Sequence, residues 1–275
     1  MSLEGKRIGF IGAGAMAEAL AGGIVASGVP AKSISAADPD PKRRKHFSEA
    51  VGAAAVADNG EIVGGSDIVV LAVKPDTVGA VLEGISDVPD DERARPLWVS
   101  IAAGVPLARL EAGLGDGARI VRAMPNTPAL VRAGATAFCG NRQATSGDRE
   151  AAQALFRCVG TVWEAPGESF MDAVTGLSGS GPAYVFLFLE ALGEAGVRMG
   201  LPRQAAYDLA TQTVFGAAQL ALKTGLKPAE LKDQVTSPGG TTFAGLEQLE
   251  AGDLRSAVHA AVAAATRRSR ELGQA

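Results

Sequence analysis

The sequence contains few of the residues from which acid–base and metal sites are commonly built. Its two histidines, His46 and His259, fall in polar stretches that are typical of a helix surface. Its two cysteines, Cys139 and Cys158, lack a C-x-x-C spacing, so neither a disulfide framework nor a zinc site is expected. Neither a catalytic triad nor a pair of carboxylates stands out. The sequence therefore favours a reaction that needs little acid–base help.

Long basic stripes and long apolar runs are also missing. The formal net charge is −4, so nucleic acid is not an expected partner. No apolar run is long enough to span a bilayer, and "MSLEGKRIGFIG" lacks the apolar core of a signal peptide. We therefore expect a cytoplasmic protein. The one basic cluster, residues 42–45, is most simply a solvated helix start; the alternative is a role in attracting a cofactor phosphate.

Small residues dominate what is present, because the chain has 35 glycines while aromatic residues make up 5%. In the first half, short apolar runs alternate with helical stretches. The predicted strands cover residues 7–12, 33–39, 66–75, 96–104 and 118–128, with further edge strands at 134–140 and 160–167. Strands interleaved with helices indicate βαβ units. We predict an α/β fold in which residues 1–167 form a Rossmann-like, doubly wound parallel sheet.

From residue 168 onward the pattern is helical. The segment "GPAYVFLFLEALGEAGVRMG", residues 181–200, is apolar almost all the way round, so it should be buried on every side. A domain of about a hundred residues has too little chain to cover such a helix. We therefore predict that residues 168–275 form an all-α dimerisation domain, in which a second subunit covers this helix.

A glycine-rich turn follows the first predicted strand. "GFIGAGAMA" contains Gly12, Gly14 and Ala17 in a G-x-G-x-x-A pattern that opens the first helix. In this pattern the first glycine makes the tight turn, and the second lets the backbone approach a pyrophosphate. The free N–H groups of the helix N-terminus then point at the phosphates. The sequence therefore predicts a dinucleotide site.

The cofactor that this site prefers stays open. Asp38 ends the second strand, where a carboxylate can accept hydrogen bonds from the ribose hydroxyls of NAD. The basic residues 42–44 favour NADP instead. The alternative for Asp38 is that it caps the following helix. "LAVKP" ends a central strand at the edge where ligands lie, so the backbone at Lys74 is a further candidate for cofactor contact.

Proline and two glycines interrupt the helical half at "SPGGTT", residues 237–242. The segment is either a bare turn between helices or a place where backbone N–H groups meet a small anion. The residues alone leave both interpretations open.

Seven segments, in this order, resemble the pyrroline-5-carboxylate reductase family. They are "GFIGAGAMAEAL", "LAVKP", "VSIAAGV", "RAMPNTPA", "TGLSGSGPAYVF", "EALGEAGVRMGL" and "VTSPGGTTFAGLEQLE", and they cover nearly the whole chain. The resemblance implies reduction of the cyclic imine Δ1-pyrroline-5-carboxylate to L-proline with NADPH or NADH. It also implies a homodimer, which some members assemble into a decamer of five dimers.

The resemblance also implies roles for individual residues. "SPGGTT" would hold the substrate carboxylate, with Thr242 at the ring nitrogen as the catalytic residue, so the expected substrate-binding residues are Glu168, Ser237, Gly239, Gly240, Thr241 and Thr242. The expected cofactor-binding residues are Gly12, Ala13, Gly14, Ala15, Met16, Asp38, Asn59, Ala72, Val73, Lys74, Pro75, Ala103, Met124 and Asn126. A metal ion is not expected.

Three other functions are alternatives to reduction of the cyclic imine. A β-hydroxyacid dehydrogenase would carry a catalytic lysine on the helix where this chain has apolar residues such as Val185 and Leu189. A reductase for another cyclic imine would share the chemistry and differ in pocket shape. A nucleotide sensor without activity would have no need of "SPGGTT" or "MPNTP".

Overall fold

A computed structural model describes residues 3–274 of the chain. The chain forms two compact units: one comprises the residues up to Ser180 together with those from Ala264 onward, and the other comprises Gly181–Ala263. The sequence-predicted domain boundary between residues 167 and 168 stays a prediction about domain organisation, which packing alone does not test. Among the described residues, no helix is both long and apolar enough to cross a membrane.

The first unit is built on one sheet of eight strands, arranged in the order β3-β2-β1-β4-β5-β6-β7-β8. All neighbouring strands run parallel except β6 and β7, which pair antiparallel. The strands are β1 (Ile8–Ile11), β2 (Ile34–Ala37), β3 (Ala54–Val56), β4 (Ile68–Leu71), β5 (Leu97–Ser100), β6 (Arg119–Met124), β7 (Gly134–Gly140) and β8 (Gly160–Glu164). The short edge strand β3 had not been predicted from the sequence, because "AAV" carries too little apolar pattern to indicate one.

The central strands are buried on both faces, which explains their uninterrupted apolar sequences. Every residue of β1, β4 and β5 is buried. Side chains such as Phe10 and Val99 belong to one apolar cluster, and their neighbours Ile11 and Trp98 belong to another. Adjacent side chains of a strand point to opposite faces, so each cluster covers one face. The predicted doubly wound sheet is confirmed.

The first seven helices of the first unit lie between strands, and the eighth follows β8. They are α1 (Ala15–Ala26), α2 (Pro41–Val51), α3 (Asn59–Gly65), α4 (Val78–Gly84), α5 (Asp90–Ala94), α6 (Leu107–Leu114), α7 (Ser146–Arg157) and α8 (Met171–Val174). The strand order reverses direction between β1 and β4. Ligands bind at such a reversal, beyond the carboxyl ends of the strands.

Helices are the only regular secondary structure among the described residues of the second unit, as predicted. Its helices are α9 (Gly181–Arg198), α10 (Arg203–Thr224), α11 (Pro228–Gln234), α12 (Thr241–Ala251) and the start of α13 (Leu254–Gln274). Helices α9 and α10 pack closely at Gly193 and Tyr207. A Cβ on Gly193 would lie 2.9 Å from the Tyr207 ring, so glycine is what allows this approach. On the single chain, Phe186 and Leu187 of α9 are 62% and 67% exposed. An apolar helix left open in one chain is what the predicted second subunit would cover.

We predict that Asn141→Ala destabilises the first unit. The buried Asn141 side chain accepts hydrogen bonds from the N–H groups of Ile120 and Ala144, and it donates to the carbonyl of Ala118 and to Glu111. Alanine would leave buried backbone groups without partners, at a cost of about 2–4 kcal/mol in the free energy of unfolding. Urea unfolding at fixed protein concentration measures this cost.

Gln143→Ala is the matched control. Its side chain makes one exposed hydrogen bond, to the carbonyl of Asp116. Its loss is expected to change the free energy of unfolding by less than about 0.5 kcal/mol. Equal effects of the two substitutions would contradict the role given to Asn141.

Candidate active site

A cavity of the first unit lies at the carboxyl ends of the central strands. Its volume is about 920 Å³, which is ample for a dinucleotide. Its walls include nine of the sequence-predicted cofactor residues: Gly12, Ala13, Gly14, Ala15, Met16, Asp38, Ala72, Val73 and Lys74. The glycine turn, the end of β2 and the end of β4 therefore meet in one place.

Gly12 makes the tight turn that the sequence pattern predicts. Its φ is +97°, and a Cβ there would lie 2.6 Å from the carbonyl oxygen of Ala72. Its N–H donates to the carbonyl of Ala37 at 2.7 Å. Another residue would therefore be strained in its backbone and would also collide with the end of β4.

The N-terminus of α1 faces the cavity without a side-chain cap. Gly14 is the N-cap residue and supplies no side-chain hydrogen bond, so the first N–H groups of the helix are available to a ligand. A Cβ on Gly14 would meet nothing within 4 Å. The open space beside uncapped N–H groups fits the pyrophosphate of a dinucleotide.

Asp38 links the turn after β1 to the turn after β2 through hydrogen bonds. It is 4% exposed, and one of its carboxylate oxygens accepts from the N–H of Ala13 at 3.0 Å. The other accepts from the N–H of Asp40 at 2.9 Å. The alternative of a helix cap is wrong for Asp38, because Asp40 is the N-cap of α2 and accepts from the N–H of Lys42. A contact between Asp38 and a ribose stays a prediction.

A basic wall, made of Lys42, Arg43 and His46, lines the cavity next to Asp38. The three residues stand on one face of α2. Arg43 lies 3.8 Å from the Asp38 carboxylate, and His46 Nε2 lies 3.4 Å from a carboxylate oxygen of Glu18. The side chain of His46 is 70% exposed, which agrees with its surface assignment, and Lys42 and Arg43 are exposed as the solvated interpretation expects. Neither interpretation included the place of these residues on the cavity wall. His46 follows Lys42 by four residues and Arg43 by three, so all three share one helix face shortly after Asp38. This spacing was the signal that could have placed them on the cavity wall.

Five predicted cofactor residues do not line this cavity: Asn59, Pro75, Ala103, Met124 and Asn126. Asn126 is buried, and its amide group donates to the carbonyl of Ser178 at 3.0 Å and accepts from the N–H of Ala135 at 2.9 Å. The Asn126 side chain therefore links the backbone at Ser178 to the backbone at Ala135. Lining residues that sequence reasoning missed, besides the basic wall, are Glu18, Pro39, Thr77, Ile101 and Pro125.

The "SPGGTT" segment of the second unit combines a tight turn with an open helix end. The N–H of Gly240 donates to the carbonyl of Ser237 at 3.0 Å, and Gly239 has a φ of +68°. Proline followed by a glycine at positive φ is typical of a type II turn. A Cβ on Gly240 would lie 2.4 Å from Ser237 Oγ, so a larger residue there would force the Ser237 side chain to move.

Helix α12 starts directly after this turn with Thr241. Its N-cap, Gly240, makes no side-chain hydrogen bond, so the first N–H groups of an eleven-residue helix are free to bind an anion. Five of the six predicted substrate-binding residues, Ser237, Gly239, Gly240, Thr241 and Thr242, are thus contiguous here.

Glu168, the sixth predicted substrate residue, belongs to the first unit and already has partners there. One of its oxygens accepts from Arg122 Nη1 and from the N–H of Leu107, both at 2.7 Å. Its side chain is 33% exposed. The carboxylate therefore holds other parts of the chain in place, and its contact with a substrate stays a prediction.

Two family models match the chain. Residues 7–104 match a model described as "NADP oxidoreductase coenzyme F420-dependent", and residues 168–272 match "Pyrroline-5-carboxylate reductase dimerisation". The first region contains the glycine turn and the basic wall. The second contains the "SPGGTT" segment.

Relatives that match over the whole chain are described as pyrroline-5-carboxylate reductases, like the second of these models. A pyrroline-5-carboxylate reductase of Methanosarcina acetivorans is 46% identical over 99% of this chain and 100% of its own length. The structure of a pyrroline-5-carboxylate reductase from Coxiella burnetii matches with a TM-score of 0.91 and 40% identity, covering 97% of this chain and 98% of that one. A pyrroline carboxylate reductase of Plasmodium falciparum, with NADP bound, matches with a TM-score of 0.87 and 35% identity, covering 98% and 99%.

We predict that Gly14→Ala weakens dinucleotide binding without unfolding the protein. The φ of Gly14 is −86° and its Cβ direction is open, so alanine is compatible with the turn. The added methyl group would occupy the approach of the pyrophosphate, and we expect the Kd for NADPH to rise by about tenfold or more. Fluorescence titration with NADPH measures the Kd.

Gly22→Ala in the same helix is the control. Its Cβ direction is also open, and alanine inside a helix is expected to stabilise it by about 0.5–1 kcal/mol while leaving the Kd unchanged. An unchanged Kd for Gly14→Ala would show that the pyrophosphate does not bind at the glycine turn.

Proposed function

The chain belongs to the pyrroline-5-carboxylate reductase family, and on that premise we propose which of its residues bind and reduce the cyclic imine. It is an NAD(P)H-dependent reductase that converts Δ1-pyrroline-5-carboxylate to L-proline, the closing step of proline biosynthesis. The observation that carries this function is the 46% identity with a pyrroline-5-carboxylate reductase over essentially the full length of both chains.

The functional form is a homodimer. The match of residues 168–272 to the dimerisation model supports it, and so do the exposed Phe186 and Leu187 of α9. We propose that the partner subunit covers these side chains, since a monomer in water rarely leaves so much apolar surface open. The family resemblance extends the proposal to a decamer of five dimers, which light scattering can detect by mass.

The dinucleotide is held by the cavity of the first unit. The uncapped N–H groups of α1 bind the pyrophosphate, and Gly14 keeps their approach open. When bound, the reduced nicotinamide supplies the hydride for the reaction. The ends of β4 and β5, at Ala72 and Ile101, form the cavity wall on the side of the strand order that holds the nicotinamide half.

The basic wall gives this chain a preference for NADPH. Asp38 has one backbone N–H on each oxygen and the Arg43 side chain beside it, so its charge is partly compensated. Arg43 and Lys42 are both exposed toward the cavity and can pair with a 2′-phosphate on the adenosine ribose. The acidic residue after β2 is therefore a structural clamp, and the charges next to it select the cofactor.

The substrate carboxylate is held by the start of α12. Its uncapped N–H groups, the turn glycines Gly239 and Gly240, and the Thr241 hydroxyl offer several donors to one small anion. Thr242 orients the ring nitrogen. Positioning of a carbon that is already electrophilic supplies most of the acceleration, so a strong protein acid is not needed when the substrate arrives as its iminium.

The alternative functions have less support. A β-hydroxyacid dehydrogenase needs a base for its hydroxyl group, and α9 carries the apolar Val185 and Leu189 where that family has its lysine. Whether the enzyme prefers a different cyclic imine is decided by the assay that follows. Oxidation of NADPH on addition of Δ1-pyrroline-5-carboxylate, compared with ring-size analogues, separates the two and also excludes a sensor without activity.

We predict that Thr242→Ala lowers kcat for imine reduction by about tenfold, because the ring nitrogen loses its orienting hydroxyl. The Kd for NADPH should stay within twofold. Thr242→Ser, which keeps the hydroxyl, should restore most of the rate. Stopped-flow or steady-state absorbance at the NADPH band measures kcat.

Thr236→Ala is the matched control for Thr242. Its hydroxyl already donates to the carbonyl of Lys232 in the same loop region, so its loss should leave kcat unchanged. If kcat of Thr242→Ala equals that of the wild type, Thr242 has no role in the reaction.

We predict that Arg43→Ala lowers kcat/KM with NADPH by about tenfold, because a charged hydrogen bond to the 2′-phosphate is lost. The value with NADH should change little, because NADH lacks that phosphate. Lys45→Ala removes the same charge from the same helix, at a residue that pairs with Glu49 outside the cavity wall. A parallel loss with both cofactors, or an equal loss in Lys45→Ala, would contradict phosphate recognition by Arg43.

A further inference from the structure

We propose that a charged cluster, defined by Arg122, Glu168, Asp172 and Ser269, is a positioning element for the nicotinamide end of the cavity. The proposal rests on the reductase function above and assigns work to residues that do not line the cavity. Arg122 is its centre. Its side chain is 8% exposed, its Nη1 lies 2.7 Å from Glu168, and its Nη2 lies 4.0 Å from Asp172.

The first connection runs along β6. Arg122 precedes Met124, the last residue of that strand, by two positions, and Pro125 directly after it lines the cavity. A guanidinium buried this deeply must stay paired, because an uncompensated charge in a low-dielectric interior is costly. The two carboxylates therefore fix the orientation of Arg122 and, through the strand, the end of β6.

The second connection runs to the loop after β5. The same Glu168 oxygen that accepts from Arg122 also accepts from the N–H of Leu107, the first residue of α6. The loop between β5 and α6 begins at Ile101, which lines the cavity. Glu168 thus joins the far end of this loop to the end of β6.

The third connection runs to the end of α13. Asp172 accepts from Ser269 Oγ at 2.7 Å, and Ser269 is 4% exposed. The following turn packs on the β5–α6 loop, since a Cβ on Gly104 would lie 3.3 Å from Leu272 and a Cβ on Gly273 would lie 3.0 Å from the carbonyl oxygen of Gly104. The loop is therefore held from Leu107 at one end and from α13 in its middle.

The location of the cluster separates it from other ion pairs of the first unit. The pair Arg149–Glu164 joins α7 to the edge strand β8 at 3.0 Å, and Arg119–Asp148 lies at the amino end of β6. The Arg149 pair touches neither the β5–α6 loop nor β6, and Arg119 lies at the end of β6 opposite to the one that reaches the cavity wall. The cluster joins two of the segments that reach the nicotinamide end of that wall, so small displacements there change the approach of the reacting carbon.

Asp172→Asn tests the proposal in the full-length enzyme. The side chain of Asp172 is 23% exposed, so the neutral residue should be tolerated in the fold. We expect kcat at saturating NADPH and imine to fall by about fivefold to tenfold, as loss of alignment does. The Kd for NADPH should stay within twofold, because the turn and the basic wall are untouched. The fluorescence lifetime of bound NADPH should shorten, since a less constrained nicotinamide relaxes faster.

Two further variants complete the test. Ser269→Ala removes one buried donor and should shift kcat and lifetime in the same direction by a smaller factor. Glu164→Gln breaks the Arg149 pair and should lower the Tm without changing either quantity.

The outcomes are distinct. If Asp172→Asn and Ser269→Ala lower the Tm but leave kcat and the lifetime at wild-type values, the cluster only stabilises the fold and the proposal is wrong. If the wild type binds NADPH but does not oxidise it with the imine, the proposed reaction fails. The lifetime comparison then still decides whether the cluster positions the nicotinamide.

Discussion

The cofactor site depends on how the turns after β1 and β2 are fastened together. Gly12 donates to the carbonyl of Ala37, and Ala13 donates to the Asp38 carboxylate, so two consecutive N–H groups of the glycine turn are already used. The next N–H groups, at the start of α1, then face the cavity without a cap. The Asp38 carboxylate and the carbonyl of Ala37 thereby decide which backbone donors of the turn remain available to a ligand. The constraint also explains why glycine is required at position 12, where a side chain would collide with Ala72.

Much of this arrangement could be predicted from the sequence, because strongly periodic segments and glycine turns encode local structure directly. The central strands, the turn at Gly12 and Gly14 and the five helices from α9 to α13 follow from such patterns. Long-range pairing could not be predicted in the same way. The occupied amide of Asn126 and the bonds of Glu168 to Arg122 and Leu107 depend on residues 9 to 61 positions away. A pattern within one segment carries no information about such partners.

Helix α13 shows why domain limits by sequence and by packing differ in this chain. The family model for dimerisation extends to residue 272, yet the helix from Ala264 onward packs with the nucleotide-binding unit. Ser269 and Leu272 account for this packing, the first through its bond to Asp172 and the second through its contact with the loop at Gly104. A segment assigned to dimerisation thus also supports the loop that ends in the cofactor cavity. One helix can serve both roles because its opposite ends lie about 30 Å apart at 1.5 Å per residue.

Side chains that commonly donate a proton near neutral pH, histidine above all, are scarce in the described cavity lining, and this limits the mechanisms open to the enzyme. The described cavity lining contains one histidine, His46, which stands on α2 beside Glu18, on the adenosine side of the strand order. Burial, and next the negative charge of Glu168, raise the pKa of Cys139 to about 11, so this thiol is a poor proton donor at neutral pH. Arg122 lies close to both groups and stays charged, because a guanidinium does not lose its proton in proteins. The proton for a reaction in this setting can come with the substrate or from water. An imine that is protonated before it binds meets that requirement, and the enzyme is then left with binding a carboxylate and aligning a hydride, tasks that backbone N–H groups and a rigid loop can perform.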